Sequence, residues 1–156
     1  MTIFAKAQYE WVRDSRKVLF DYCTTISPQD FVNENSSFGR GGSIRNLLVH
    51  IASTYQFWIA NTALQRNISY AEYSAYANID NVKLLFKDID ELMYSFIDRL
   101  PSFEQGIAYP NQGTTAFAPA LKLFSHVITH EYHHKGQILS LSRHLGYVPV
   151  DTDIMR

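Results

Sequence analysis

The histidines are the residues of this sequence whose type and spacing best suit chemistry. There are six of them. One is His50, and the others lie together in a C-terminal segment: His126, His130, His133, His134 and His144. Imidazole nitrogens bind divalent transition metals such as zinc and nickel. Histidines that point to one place therefore indicate a metal site, and the direction of each side chain decides which of them can share an ion.

The C-terminal segment has helical periodicity, and its apolar face identifies the inward histidines. That face consists of Phe124, Val127, Ile128, Ile138, Leu141 and Leu145. On a helical wheel His134 falls within this face and His130 on its border, whereas His126 and His133 point further towards solvent. Because His130 and His134 are one helical turn apart, their rings can converge on one ion. We expect His126, His133 and His144 to be solvated or to lie around the ligands.

His50 belongs to an earlier helical segment, on the flank of its apolar stripe. Thr54 and Asn61 lie on the same polar flank. A histidine in such a place can be a hydrogen-bonded partner of a neighbouring helix. It can also be the third ligand of His130 and His134, which would leave a fourth coordination position open for water or substrate.

Glu131 projects onto the inward face of the last helix, where a carboxylate without a partner is unfavourable. It is the candidate catalytic residue, because it could orient a ligand, act as a base or bind the ion. The alternative is an ion pair with a lysine or arginine on an adjacent helix. Gln137 lies beside His130 on the wheel, and we expect it to hydrogen-bond that ring or a neighbouring helix.

Two further sets of residues are weaker candidates. The single cysteine, Cys23, could be a thiol ligand, but a lone cysteine in a helix is more often a small buried apolar residue. Tyr70, Tyr73 and Tyr76 occupy a loop, where they could line the mouth of a pocket or an interface.

Four long segments with helical periodicity position these residues. They run from about Phe4 to Thr24, from Ser43 to Gln65, from Asp80 to Leu100 and from near Pro119 to Leu145. Ser43 and Asp80 are plausible N-caps, Pro101 stops the third helix, and Gly146 is expected to cap the fourth. Between the last two helices, the stretch from Gly106 to Phe117 predicts a short hairpin. We therefore predict an all-α fold, a four-helix bundle in which residues 1–156 form a single domain.

Composition excludes several classes of function. Lysine and arginine total 14 against 15 acids, and no basic stripe is present, so nucleic acid is not expected as a partner. No apolar run is long enough for a membrane span, and no membrane partner is expected. One cysteine cannot pair within the chain, which indicates a reducing compartment and a cytoplasmic location.

Two motifs resemble those of the DinB/YfiT-like family of metal-dependent bundle proteins. The first is S-I-R-N-L-L-V-H-I-A from Ser43 to Ala52, and the second is H-V-I-T-H-E-Y-H-H-K-G-Q-I from His126 to Ile138. The resemblance spans most of the chain and implies that His50, His130 and His134 are the metal ligands. The family commonly has arginine where this chain has Lys135, a departure that leaves the ligands unchanged.

The resemblance also implies a range of functions. Some relatives resemble thiol-dependent S-transferases, so one hypothesis is a metal-dependent thiol S-transferase or hydrolase acting on a small electrophile. Its cofactors would be a divalent transition metal, zinc or nickel foremost, and a low-molecular-weight thiol as cosubstrate. The alternative is a non-catalytic, metal-stabilised bundle that serves as a dimerisation module or a stress-response binding protein. A homodimer is expected from the resemblance and from the aromatic content.

Overall fold

The computed structural model describes residues 2–36, 42–99 and 102–156, and these residues are mainly helical. In chain order the elements are α1 (Thr2–Cys23), α2 (Pro28–Phe31), α3 (Ile44–Tyr55), a π-helical segment (Gln56–Ala63), a 3₁₀ turn (Tyr73–Ala75), α4 (Ile79–Arg99), β1 (Gly106–Asn111), β2 (Thr114–Pro119) and α5 (Ala120–His144). The prediction of a mainly helical chain with a hairpin before its last helix is confirmed. The short α2 and the 3₁₀ turn were not predicted.

Side-chain caps fix where the helices begin. The Ser43 hydroxyl accepts a hydrogen bond from the backbone N–H of Asn46, as predicted for an N-cap. In α4 the predicted cap was wrong, because Asn78 accepts from the N–H of Asn81 and Asp80 lies in the first turn. Asparagine and aspartate cap equally well, so their order alone did not decide between them. The predicted stop at residues 100 and 101 lies outside the described residues.

The end of α5 agrees with the prediction for Gly146. Leu145 is the C-cap residue, and Gly146 follows it with φ of +94°. The N–H groups of Gly146 and Tyr147 donate to the carbonyls of Arg143 and Ser142. This is the Schellman arrangement, which requires a left-handed backbone that glycine adopts without a Cβ clash.

The hairpin is antiparallel and ends in a two-residue turn. Its register pairs Gly106 with Pro119 at one end and Asn111 with Thr114 at the other. Gln112 and Gly113 in the turn have φ of +46° and +81°. Positive φ at both positions is the type I′ geometry that matches the twist of two strands.

A single core joins the long helices. Tyr9 of α1 packs edge-to-face on Tyr55 of α3, and Phe103 packs in the same way on Phe124 of α5. The hairpin contributes Ile107 to the same cluster. Within the described residues, no helix has both the length and the apolar character needed to cross a bilayer.

The second long helix was predicted to run to Gln65, but it changes form within that range. It is α-helical only to Tyr55 and continues as a π-helix from Gln56 to Ala63. At its end the N–H of Leu64 donates to the carbonyl of Ile59, five residues back. The wider turn shifts all following side chains around the helix axis relative to an α-helix. Trp58 lies in this segment.

Cys23 is buried, as predicted, and is only 2% exposed at the end of α1. Burial raises the pKa of its thiol to about 12. The thiolate is the nucleophile, so at pH 8 the native thiol should react about a thousandfold more slowly than an unfolded one. The rate of reaction with an aromatic disulfide reagent, measured with and without urea, checks this. Equal rates in the two conditions would contradict a buried thiol.

Candidate metal centre

Helix α5 brings His130 and His134 together on one side. Their ring centroids lie 4.3 Å apart, and the two Nε2 atoms are separated by 3.1 Å. The four-residue spacing places both rings over adjacent turns of one helix. The prediction that these two side chains face the same point is confirmed.

His50 reaches the same point from α3. Its ring centroid lies 5.0 Å from that of His130 and 4.8 Å from that of His134. One ring nitrogen from each of the three histidines lies within 4.8 Å of the others, and this three-histidine group could hold a metal ion. Ser43 caps α3 and so begins the helix two turns before His50, which places the His50 side chain on the same side of α3 as the cap.

The donor set fits a divalent transition metal. Zinc–nitrogen bonds of about 2.0–2.1 Å in a tetrahedral site put two ligand nitrogens about 3.3 Å apart. The 3.1 Å between the Nε2 atoms of His130 and His134 is close to this spacing. Burial, followed by the nearby charge of His134, lowers the pKa of His130 to about 3. The ring is therefore neutral near pH 7, the form in which imidazole binds a metal.

Gln137 fixes the orientation of His134. Its side-chain Oε1 lies 2.6 Å from Nδ1 of His134. An amide oxygen only accepts, so Nδ1 carries the proton and Nε2 keeps its lone pair for the site. Gln137 contacts a histidine of the group, as expected, but the ring is that of His134 and not that of His130. The three-residue step from His134 to Gln137 brings the amide over the His134 ring instead.

Replacing Gln137 with alanine should weaken metal affinity about 10- to 100-fold, since partners that orient metal-binding histidines have effects of this size. The fold should be unchanged, because Gln137 is only partly buried. Competition with a chromogenic chelator measures the dissociation constant. Gln137→Glu keeps the acceptor and should retain affinity, whereas unchanged affinity in Gln137→Ala would show that the contact does not matter.

The remaining histidines lie around the group, outside it. His126 is exposed, with its ring 5.8 Å from that of His130. His133 is also exposed, and its ring lies 4.9 Å from that of His134. The Nδ1 atom of His144 lies 2.8 Å from the carbonyl of Ser140, one turn back in its own helix.

Glu131 lies in a buried ion-pair network. Its carboxylate accepts from Nε and Nη2 of Arg16 at 3.0 and 2.9 Å. It also accepts from the Tyr55 hydroxyl at 2.7 Å and lies 3.3 Å from Nζ of Lys135. Of the two alternatives for Glu131, the structure shows the ion pair with an adjacent helix. Glu131 is not part of the three-histidine group among the described residues, so the geometry gives no support to a catalytic role.

Charges in this network keep Glu131 ionised. Burial raises the pKa of the carboxyl, but the positive charges of Arg16 and Lys135 outweigh it, and the pKa lies below its usual value. Lys135 is itself buried and donates to the Ser15 hydroxyl at 2.8 Å. The lysine thus keeps a cation beside Glu131 at the position where the family commonly has arginine.

Sequence reasoning did not find Arg16 as the partner of Glu131. A signal was present, because Arg16 recurs with the inward Tyr9, Val12 and Cys23 at helical spacing. A charged residue on an apolar helix face requires a buried partner of opposite charge. The inward carboxylate of Glu131 and the inward guanidinium of Arg16 could have been matched on this ground.

An open pocket of about 500 Å³ lies over the three-histidine group, and Thr54, Trp58 and Gln137 help to line it. A neighbouring depression beside His50 is lined in part by Tyr70 and Tyr73. Of the two predicted roles for these tyrosines, lining a pocket mouth is the one observed. Tyr76 does not line it.

Comparison with known proteins identifies the family of this chain. A comparison with curated proteins found no match to this sequence. The sequence pattern of the DinB family matches residues 1–156, which include all three histidines of the group. This chain therefore belongs to the DinB family.

Proposed function

We propose that this chain is a metal-dependent enzyme, a thiol S-transferase or a hydrolase that acts on a small electrophile. His50, His130 and His134 would hold one divalent transition-metal ion, with zinc and nickel the best candidates for imidazole ligands. The observation that carries the proposal is the convergence of three ring nitrogens within 4.8 Å, with no carboxylate or thiol joining them among the described residues.

The protein's own residues prepare this site in three ways. Burial keeps His130 and His134 neutral by lowering the pKa of each ring. Gln137 holds the Nδ1 proton of His134 and so leaves Nε2 available. The pocket above the group is open, so a small molecule can reach it.

The chemistry requires a nucleophile near neutral pH. An ion with a free coordination position supplies it by lowering the pKa of a bound thiol or water. Neutral ligands leave the full charge of the ion to act on that molecule. Three protein ligands with an open position are typical of catalytic sites, whereas structural ions are usually closed by four.

A second candidate is a non-catalytic bundle in which the ion stabilises the fold. The observation that favours it is that the histidines come from α3 and α5, so a bound ion would cross-link two helices. Such a protein would serve as a dimerisation module or a stress-response binding protein. The two candidate functions differ in the fourth coordination position of the ion, which holds an exchangeable molecule in an enzyme and a fixed ligand in a stabilising site.

We also propose that the chain is a single four-helix-bundle domain that acts in the cytoplasm as a homodimer. The dimer is supported by apolar side chains at the start of α1, where Ile3 and Phe4 are 82% and 77% exposed. Trp11, two turns after Phe4, extends this surface. Exposed apolar patches of this kind are common where subunits meet.

Cobalt substitution tests the proposed function. Untagged protein is stripped of metal, loaded with Co²⁺ and titrated with 2-mercaptoethanol while its absorption spectrum is recorded. We expect a sulfur-to-cobalt charge-transfer band that saturates, followed by consumption of thiol faster than in protein-free buffer when 1-chloro-2,4-dinitrobenzene is added. A spectrum unchanged both by thiol and by azide, a small anion that displaces bound water, would indicate a closed site and favour the stabilising role, and absence of metal binding would overturn both candidates.

A further inference from the structure

A second, smaller pocket adjoins the pocket over the three-histidine group. Its volume is about 160 Å³, and it is lined by Trp58, Tyr109, Ala118, Lys122, Leu123 and His126. We refer to these six residues as the ring pocket. Trp58 and His126 also line the pocket of the histidine group. A molecule in the ring pocket would therefore lie beside the metal centre.

Four elements meet to form the ring pocket, and β2 supplies Ala118. The π-helical segment supplies Trp58, β1 supplies Tyr109, and α5 supplies His126. The Trp58 ring lies 5.5 Å from Tyr109 and 5.3 Å from His126, in edge-to-face geometry in both cases. A π-helical turn inside a long helix is rare and is frequently found at functional sites. Here it determines the position of the largest aromatic wall.

The size and lining of the ring pocket limit what it can bind. An apolar cavity of about 150 Å³ holds one benzene molecule, so the 160 Å³ of this pocket matches a single aromatic ring. Aromatic walls at edge-to-face distances from one another favour a flat apolar guest. The rings of Trp58 and Tyr109, together with the side chain of Leu123, form such walls.

The charge of the ring pocket is positive. Lys122 is exposed at its rim and has no ion-pair partner among the described residues. No aspartate or glutamate of the described chain lines the pocket. An ammonium group in this position attracts an anionic substituent and disfavours a cationic one.

We propose that the ring pocket binds compact aromatic molecules that carry an anionic group, with the ring against Trp58 and Tyr109 and the anionic group near Lys122. This inference deepens the proposed function, on which it rests for the role of the ligand, because it gives the electrophile a chemical class. Binding itself needs no metal, so the two can be tested apart.

The test follows Trp58 fluorescence in a Trp11→Phe background, which leaves Trp58 as the sole tryptophan of the two in the chain. The probe is benzoate, added to the protein as purified and again after removal of metal with a chelator. We expect a saturable change in emission in both forms. Benzylamine has the same ring with a positive charge and should bind several-fold more weakly.

Two substitutions locate the probe. Ala118 is buried in β2 and lines the ring pocket, so Ala118→Leu should fill the space and weaken benzoate binding more than tenfold. Lys122→Met should weaken benzoate two- to fivefold, the usual range for an exposed charge, and leave benzyl alcohol unchanged. Lys87→Met removes an exposed lysine of α4 and is the control, which should change the affinity for neither benzoate nor benzyl alcohol.

The outcomes separate the inference from the proposed function. Equal benzoate affinity in Ala118→Leu and its parent, with circular dichroism unchanged, would overturn the inference, as would equal affinity for benzoate and benzylamine. If Ala118→Leu does not fold, the Lys122→Met and benzylamine comparisons decide. Benzoate binding in a protein that takes up no metal would support the ring pocket and overturn the proposed function. Metal uptake without benzoate binding would overturn the ring pocket as a binding site and leave the proposed function standing.

Discussion

Replacing His130 with alanine is expected to reduce bound metal from about one ion per chain to nearly none. Loss of an outer partner already weakens a metal site about 10- to 100-fold, so loss of a ligand should exceed about 100-fold. His130 is one of the three converging imidazoles, since its Nε2 lies 3.1 Å from that of His134 and its ring 5.0 Å from that of His50. Inductively coupled plasma mass spectrometry of untagged protein measures the metal directly.

His144→Ala is the matched control for this experiment. The residue is an exposed histidine of the same helix, and its Nδ1 lies 2.8 Å from the carbonyl of Ser140. Its substitution should leave the metal content unchanged. If His130→Ala retains stoichiometric metal after reconstitution with zinc or nickel, the three-histidine group is not the site.

Breaking the buried pair between Arg16 and Glu131 is expected to have the largest effect on stability. Glu131→Gln should lower the free energy of unfolding by about 3 kcal/mol, because it removes the fully buried counter-charge of Arg16 and leaves only the partly exposed Asp90, 2.6 Å from the guanidinium. Glu131 is 1% exposed and meets Arg16 through two hydrogen bonds. Urea denaturation monitored by circular dichroism gives the value.

Two further variants separate the pair from its surroundings. Arg16→Met combined with Glu131→Met and Lys135→Met replaces all three buried charges with apolar groups and should recover much of the loss, as buried ion pairs often contribute little net stability. Lys17→Met is the surface control, because its pair with Asp21 is 75% and 58% exposed. It should change stability by less than about 1 kcal/mol. A loss in Glu131→Gln no larger than that of Lys17→Met would contradict the network.

Much of the fold could be predicted from the sequence because helical periodicity is a local property. The apolar stripes placed the long helices, and the wheel separated the inward His130 and His134 from the outward His126 and His133. Ser43 and Gly146 marked helix ends because one hydroxyl or one missing Cβ decides the local backbone.

What the sequence did not reveal depends on contacts between distant segments. The pairing of Glu131 with Arg16 joins residues in α5 and α1, and only the packing of those helices determines which inward charge meets which. The π-helical form from Gln56 to Ala63 differs from an α-helix by one hydrogen-bond step, which propensity does not encode. The ring pocket requires Trp58 of that segment to meet Tyr109 of β1 and His126 of α5, so it was also missed.

The alternation of roles along α5 has a mechanical consequence. His130 is followed by Glu131, and His134 by Lys135, so each inward imidazole has a buried charge as its next neighbour. Turning α5 about its axis to move the imidazoles would also pull Glu131 from Arg16. The ion-pair network thus resists rotation of α5 about its axis. The spacing of the imidazole nitrogens of His130 and His134 is therefore fixed before an ion binds. Discrimination among metals then depends on how well each ion's bond lengths suit a nearly rigid frame, and the helices need not adapt.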